Sequence, residues 1–330
     1  MPHRFRRWSR LLLIAAVAAV PAAAQNPAAA PATQKTPPWA YPMLGTAPPA
    51  PANDGVKHRL DGSPYEFTMV ELFDLFTAND WFPGMHPPMP EVVARGRKPE
   101  VRACGMCHLP NGQGRPENAS LAGLPAAYIV QQMADYKSGA RRSSEPQSGP
   151  HIRMLAAAQH ASEEDARIAA EYFAQLKYQR WIRVVETDSV PQSRVVIGSM
   201  WAAIEGSTPE PLGRRILEVP ENLKRTELRD PRSGFVAYVP PGSIRQGQEL
   251  ATTGGGKTTA CVSCHGADLK GMGPIPPLAG RSAQYMVRQL YDFQQGTRAG
   301  AAGAPMKDIV AKLTLDDFIA LAAYAASREP

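Results

Sequence analysis

Cysteine is scarce in this sequence. There are four in 330 residues, all inside two copies of one pentapeptide, Cys104-Gly-Met-Cys107-His108 and Cys261-Val-Ser-Cys264-His265. None is left over for a disulfide framework or a separate thiol site. Long apolar runs are missing too. The longest, Leu11 to Val20, is stopped by Pro21 after ten residues, about half of what crosses a bilayer. No transmembrane span is expected in the mature chain. Nor does one charge dominate: the formal +6 falls to +2 once Arg4, Arg6, Arg7 and Arg10 are set aside. With no sustained basic face, a nucleic-acid partner is excluded.

Proline, by contrast, is abundant. Its 33 residues are one in ten, about twice the ordinary ~5 %, and call for long non-helical connections. Residues 1–24 have the layout of a secretory signal peptide: four arginines, the apolar Leu11–Val20, then Ala22-Ala23-Ala24 at the cleavage point. An exported, periplasmic protein is expected. Residues 25–52, rich in Pro and Ala, read as an extended, poorly ordered tether. Residues 53–90 form an N-terminal extension. There the capping box Thr68-Met-Val-Glu71, followed by Phe73 and Phe76, predicts a short helix from Thr68 to about Ala78, ended by Trp81-Phe82-Pro83.

The chain also repeats itself. At an offset of 157, Cys104, Cys107 and His108 fall on Cys261, Cys264 and His265, and residues 121–141 match 278–298 at 10 of 21 positions. The second copy then lacks five residues, after which Met154 aligns with Met306, Asp165 with Asp317 and Tyr172 with Tyr324. Two homologous domains are implied, at 91–178 and 243–330, each with one CxxCH. Both read as helical. Pro125, as a first-turn proline, and Ser282, as a cap, open paired helices that end near Gly139 and Gly296. Ser162-Glu-Glu-Asp165 and Thr314-Leu-Asp-Asp317 cap a last helix in each. Between the domains, 179–242 holds short β-branched or aromatic runs at Trp181–Val185, Arg194–Ile197, Ile216–Val219 and Phe235–Val239, and predicts a small β-rich connector. The fold class is thus mainly α. A domain of roughly 85 residues with three or four helices and long loops buries little core by itself, so something large and apolar should fill each centre.

CxxCH in an exported protein points to covalent haem c. Two thiols one helical turn apart can each form a thioether to the porphyrin, and the next imidazole then lies over the iron. A zinc ribbon would bring its CxxC pairs about 15–20 residues apart, against 157 here. A thioredoxin-like pair needs a βαβ context, and a disulfide inside each CxxC explains neither histidine. Gly254-Gly-Gly-Lys257-Thr258 imitates a phosphate loop, but Ala251 stands where that pattern needs glycine. It reads instead as a flexible loop before the second haem. Two covalently attached haem c groups, each with iron, are the expected cofactors. Cys104, Cys107, Cys261 and Cys264 would carry the thioethers, with His108 and His265 as proximal ligands.

The sixth ligand is a separate inference. Met154 and Met306 take equivalent places, Met306 after Pro305 in a loop before the last helix, and His/Met ligation suits an electron carrier. His151, three residues before Met154, is the alternative at the first iron. Each proximal imidazole should donate its other N–H to a carbonyl, with the loops at Arg115-Pro116 and Gly273-Pro274-Ile275-Pro276 as candidates.

Paired CxxCH domains, a Leu-Ala-Gly turn before a helix with Tyr and Gln, then a Met and a final Ala/Tyr helix resemble class I c-type cytochromes. The two-domain diheme cytochrome c4 family is the nearest in pattern. The resemblance covers about 91–178 and 243–330. It implies a helical fold around each haem, two tandem cytochrome c-type haem domains, and electron shuttling between redox partners such as a dehydrogenase, an oxidase or a membrane complex. It also implies that Cys104, Cys107, His108 and Met154 hold one haem, and Cys261, Cys264, His265 and Met306 the other. The extension and the connector depart from that family, whose members join their domains more tightly. No catalytic residue is assigned: an electron carrier, or the cytochrome subunit of an oxidoreductase, is expected rather than a catalyst. The alternative is a diheme peroxidase-like enzyme with one open or displaceable haem.

Overall fold

The computed structural model describes residues 1–2, 36–43, 45, 48–49 and 52–330. The signal-peptide segment and most of the 25–52 stretch lie outside the described residues. The part of that stretch that is described corrects the tether expectation. Ala40 and Tyr41 are buried. The Tyr41 hydroxyl donates to Asp292 at 2.8 Å, and the Trp39 carbonyl accepts from Trp201 and Gln284. Two aromatics set among prolines anchor this segment to the core, which the surrounding Pro/Ala composition concealed.

The extension starts with a two-stranded hairpin, β1 (His58–Arg59) and β2 (Glu66–Phe67), then α1 (Met69–Leu72). Thr68 and Glu71 form the expected capping box. The helix stops after one turn instead of reaching Ala78, because the Asp74 carboxylate accepts from the Phe76 N–H and the Thr77 hydroxyl and folds the chain into a turn. Trp81, fully buried, packs with Leu60, Leu72, Phe82 and Leu228 and donates its indole N–H to the Leu228 carbonyl at 2.7 Å.

The first repeat contains α2 (Glu91–Ala94), α3 (Cys104–His108), α4 (Ala126–Ser138), α5 (Gly149–His160) and α6 (Glu163–Gln175). Pro125 is the residue before α4, not its first turn. The connector follows as β3 (Ile182–Glu186), β4 (Ser189–Val190), β5 (Ser193–Val196), β6 (Met200–Ala203), β7 (Glu210–Pro211), β8 (Leu217–Pro220), α7 (Leu223–Glu227) and β9 (Phe235–Val239). Its central sheet runs β3–β9–β8, with β3 parallel and β8 antiparallel to β9. Phe235, Ala237 and Val239 point to one core while Val236 faces another, so both faces of β9 are covered. This sheet shares its core with the second repeat. It is part of that domain's packing more than a spacer.

The second repeat contains α8 (Ser243–Thr253), α9 (Val262–His265), α10 (Ala283–Gln294), α11 (Ala304–Val310) and α12 (Leu315–Ser327). The stretch read as a flexible loop is a short 3-10 turn, Gly254–Gly256, continuing α8. Helix α8 lies directly on α12: a Cβ on Gly247 would fall 2.0 Å from the Ala320 carbonyl oxygen, so only glycine fits. At the same offset the first repeat has Pro87, Pro88 and Pro90, and its opening helix is cut to the four residues of α2.

Helix α12 is capped as the sequence predicts. Thr314 and Asp317 exchange hydrogen bonds, and the buried Asp317 carboxylate also accepts from Lys257 at 2.8 Å. Burial works to raise the Asp317 pKa, but Lys257 and the Thr314 hydrogen bonds outweigh it and hold the carboxyl below its ordinary 3.8. That depression stabilises the fold above pH 3.8 and is lost as pH falls through the lower folded-state value. Asp317→Ala should therefore cost about 1–3 kcal/mol at pH 7. The deficit should shrink on acidification below pH 3.8, as measured by chemical denaturation at both pH values.

Residues 36–330 form one unit, and the two repeats face each other directly despite the intervening connector. Helices α4 and α10 meet through a reciprocal exchange. Arg141 donates to Tyr285 at 2.9 Å and Gln289 at 3.0 Å, while Arg298 donates to Tyr128 at 2.8 Å and Gln132 at 2.9 Å. Every partner is the other's equivalent at the offset of 157. The connector packs on the second repeat without separating the domains.

Candidate functional site

Helix α3 carries the first CxxCH and is held from both sides. Gly105 and Met106 are buried, the latter against Ala78 and Ala103. His108 is buried, and its Nδ1–H donates to the Ala119 carbonyl at 2.8 Å. That bond fixes the tautomer and leaves Nε2 with its lone pair free. Burial pushes the His108 pKa below the ordinary 6.5, so the ring is neutral at neutral pH, as a ligand must be. Desolvation also raises Cys104 to about 12. Among the described residues, no group of three or more His, Cys, Asp or Glu side chains is arranged to hold a bare metal ion.

Cys104, Cys107 and His108 open onto a largely apolar cavity of about 320 Å³ that is also lined by Met154 of α5, Ile129 and Phe173. Cofactor pockets run from roughly 300 to 1,000 Å³. Met154 lies within a twelve-residue helix and Met306 within a seven-residue one, not in a loop as expected. Alignment therefore found the pair but not their helical setting. His151 is not on the cavity wall. Its ring lies 5.7 Å from that of Tyr136. His86, also in the first repeat's neighbourhood, has Nε2 at 3.1 Å from Asp80 and its ring edge-on to Tyr172.

The second site repeats the first. His265 is buried on α9, its Nδ1–H donating to the Pro276 carbonyl at 2.8 Å, in the loop that the sequence singled out. In the first repeat the acceptor is Ala119 and not Pro116, whose carbonyl instead accepts from Arg288. Ala119 is Pro276 less 157, so the repeat offset would have found it. Burial again lowers the histidine pKa below 6.5. Cys261 and Met306 pack on the same core cluster. Ser263 and Cys264, however, are exposed where their equivalents Met106 and Cys107 are buried and half-buried.

The family model for cytochrome c matches residues 244–328. Cytochrome c-554(548) of Halomonas halodenitrificans is 38 % identical over 80 residues, 24 % of this chain and 96 % of that protein. Cytochrome c4 of Azotobacter vinelandii is 26 % identical over 230 residues, covering 68 % of this chain and 84 % of its own. This chain is a cytochrome c4-like, class I c-type cytochrome. It carries covalently bound haem c. A relative from Stutzerimonas stutzeri, 28 % identical over 235 residues and covered over 82 % of its length, is named thiosulfate dehydrogenase electron acceptor. A buried CxxCH histidine beside an apolar cavity is what such a group requires. No helix of the described residues is long and apolar enough to cross a membrane.

Sequence reading missed three charged residues of this cytochrome. Arg115, Glu117 and Arg229 all line the first cavity, and all are buried. Arg115 and Glu117 were legible only as loop residues. Arg229 comes from the connector, which has no second copy to mark it.

Proposed function

We propose that this cytochrome is an exported, periplasmic electron carrier whose two haem c groups pass single electrons between redox proteins of a respiratory or dehydrogenase chain. Bound haem c supplies an iron that gains and loses one electron. In this reading Cys104 and Cys107 hold one haem by thioethers and Cys261 and Cys264 the other, with His108 and Met154 on the first iron and His265 and Met306 on the second. The Ala119 and Pro276 carbonyls orient the two imidazoles. Ile129, Phe173 and the apolar wall keep water from the first.

The observation that carries the reading is Met154 on the wall of the cavity that His108 enters. With a methionine lining the same cavity as the histidine, a second protein ligand is at hand, which favours a carrier over a peroxidase. The relative named as an electron acceptor supports a dehydrogenase as the donor. Purified mature protein should be low-spin at both haems and show the charge-transfer band of methionine-ligated ferric haem. It should cycle between reduced and oxidised forms without consuming peroxide. A high-spin haem with rapid peroxide turnover would refute the carrier assignment.

A further inference from the structure

The first cavity contains a charge that the protein leaves uncompensated. Arg115 Nη2 lies 2.7 Å from Glu117 Oε1, and both side chains are almost fully buried. Arg115 Nε and Nη1, Glu117 Oε2 and Arg229 Nη2 have no hydrogen-bond partner. One carboxylate faces two guanidinium groups, so the buried trio is net positive. Burial, and repulsion from Arg115, press the Arg229 pKa below its ordinary value. The other charged residues on the wall differ. Asp165 is paired with Arg97 at 2.8 Å, and neither Arg102 nor Arg153 is buried.

Arg229 is held there deliberately. It sits at φ 59° in a connector loop pinned at four points. The Leu228 carbonyl accepts from Trp81, Pro231 from Asn111, Ser233 from Gln113, and the Asp230 carboxylate from Arg225 and Arg232. Gly198, on the same wall, leaves the ion pair its room: a Cβ there would fall 3.0 Å from Arg115 Nη2. The second repeat has no such trio. Arg115 and Glu117 align with Met272, which is exposed, and Pro274.

We infer that Arg229, with Arg115 and Glu117, is the electrostatic device that sets the haem of the first repeat apart, holding its potential above what the cavity would otherwise give. This rests on the diheme reading above. An uncompensated buried cation is costly, and a haem, with two carboxylates, is the anionic group that compensates it. Reduction makes the haem one unit more negative, so a fixed buried cation favours the reduced form.

The test is potentiometric titration of the two-haem protein. The first-repeat wave is identified as the one that Met154→His displaces, and haem content is counted by mass. Arg229→Leu should shift that haem at least tenfold toward the oxidised form, which is 59 mV for a one-electron couple, and leave the other wave nearly fixed. Arg229→Lys should retain most of the potential, and Glu117→Gln should move the same wave upward. Opposite signs at Arg229 and Glu117 cannot come from general loosening. An unmoved first wave in a two-haem Arg229→Leu protein, or shifts of one sign in both variants, overturns the inference. A wild-type chain without two covalent haems instead removes the parent reading.

Discussion

A chain bearing Cys104→Ser and Cys107→Ser is expected to be isolated with one covalent haem and with its first repeat largely unfolded. The two thiols are the first repeat's only cysteines, so nothing else can take over the attachment. The structural cost follows from the cavity. A void of about 320 Å³, at roughly 24 cal/mol per Å³ of unfilled volume, is worth about 8 kcal/mol, comparable with the whole stability of an ordinary domain at about 5–15 kcal/mol. The buried Arg229 would also lose its anionic neighbour. Haem content by mass and helix content by far-UV circular dichroism check this directly. Two haems in the double variant would end the attachment assignment. One haem with full helicity would show that the first repeat does not depend on its cofactor.

The second large effect concerns the methionines. Met154→His should lower the potential of one haem and Met306→His that of the other, each by a sizeable fraction of the ~0.8 V span that axial ligands command. Imidazole donates more strongly than a thioether and favours the ferric ion. Each variant should stay low-spin and lose one methionine–iron charge-transfer band. If Met154→His leaves both waves in place while a His151 variant moves one, the first iron is bis-histidine. The present packing argues against that, since the His151 ring packs at a tilt beside Tyr136 and is not on the cavity wall.

What could be read in the sequence was what is written twice or locally. The CxxCH pair, the caps at Ser162, Ser282 and Thr314, and the paired helices ending near Gly139 and Gly296 rest on short-range chemistry and on the repeat. What was not legible depends on contacts distant in sequence. Trp39 and Tyr41 stand among prolines and give no periodic signal, yet Tyr41 reaches Asp292 across 251 residues. Helix α5 was overlooked because the loop reading followed its glycine and proline, although Leu155-Ala-Ala-Ala is strongly helix-forming. The connector's strands were visible as β-branched runs. That β3 pairs in parallel with β9, 53 positions away at Ile182↔Phe235, is a pairing no local pattern encodes.

The swapped arginines between α4 and α10 carry one more consequence. Arg141 reaches the first repeat's own Gln132 at 2.7 Å as well as Tyr285 and Gln289, and Arg298 mirrors it with its own Gln289 at 3.0 Å. Contact of i with j matched by j with i is the rule of a closed two-fold dimer. This chain makes, between its own two repeats, the reciprocal contact that such a dimer makes between two copies. Cut within the connector, the halves would each present half of that symmetric seam, and they should find one another in solution.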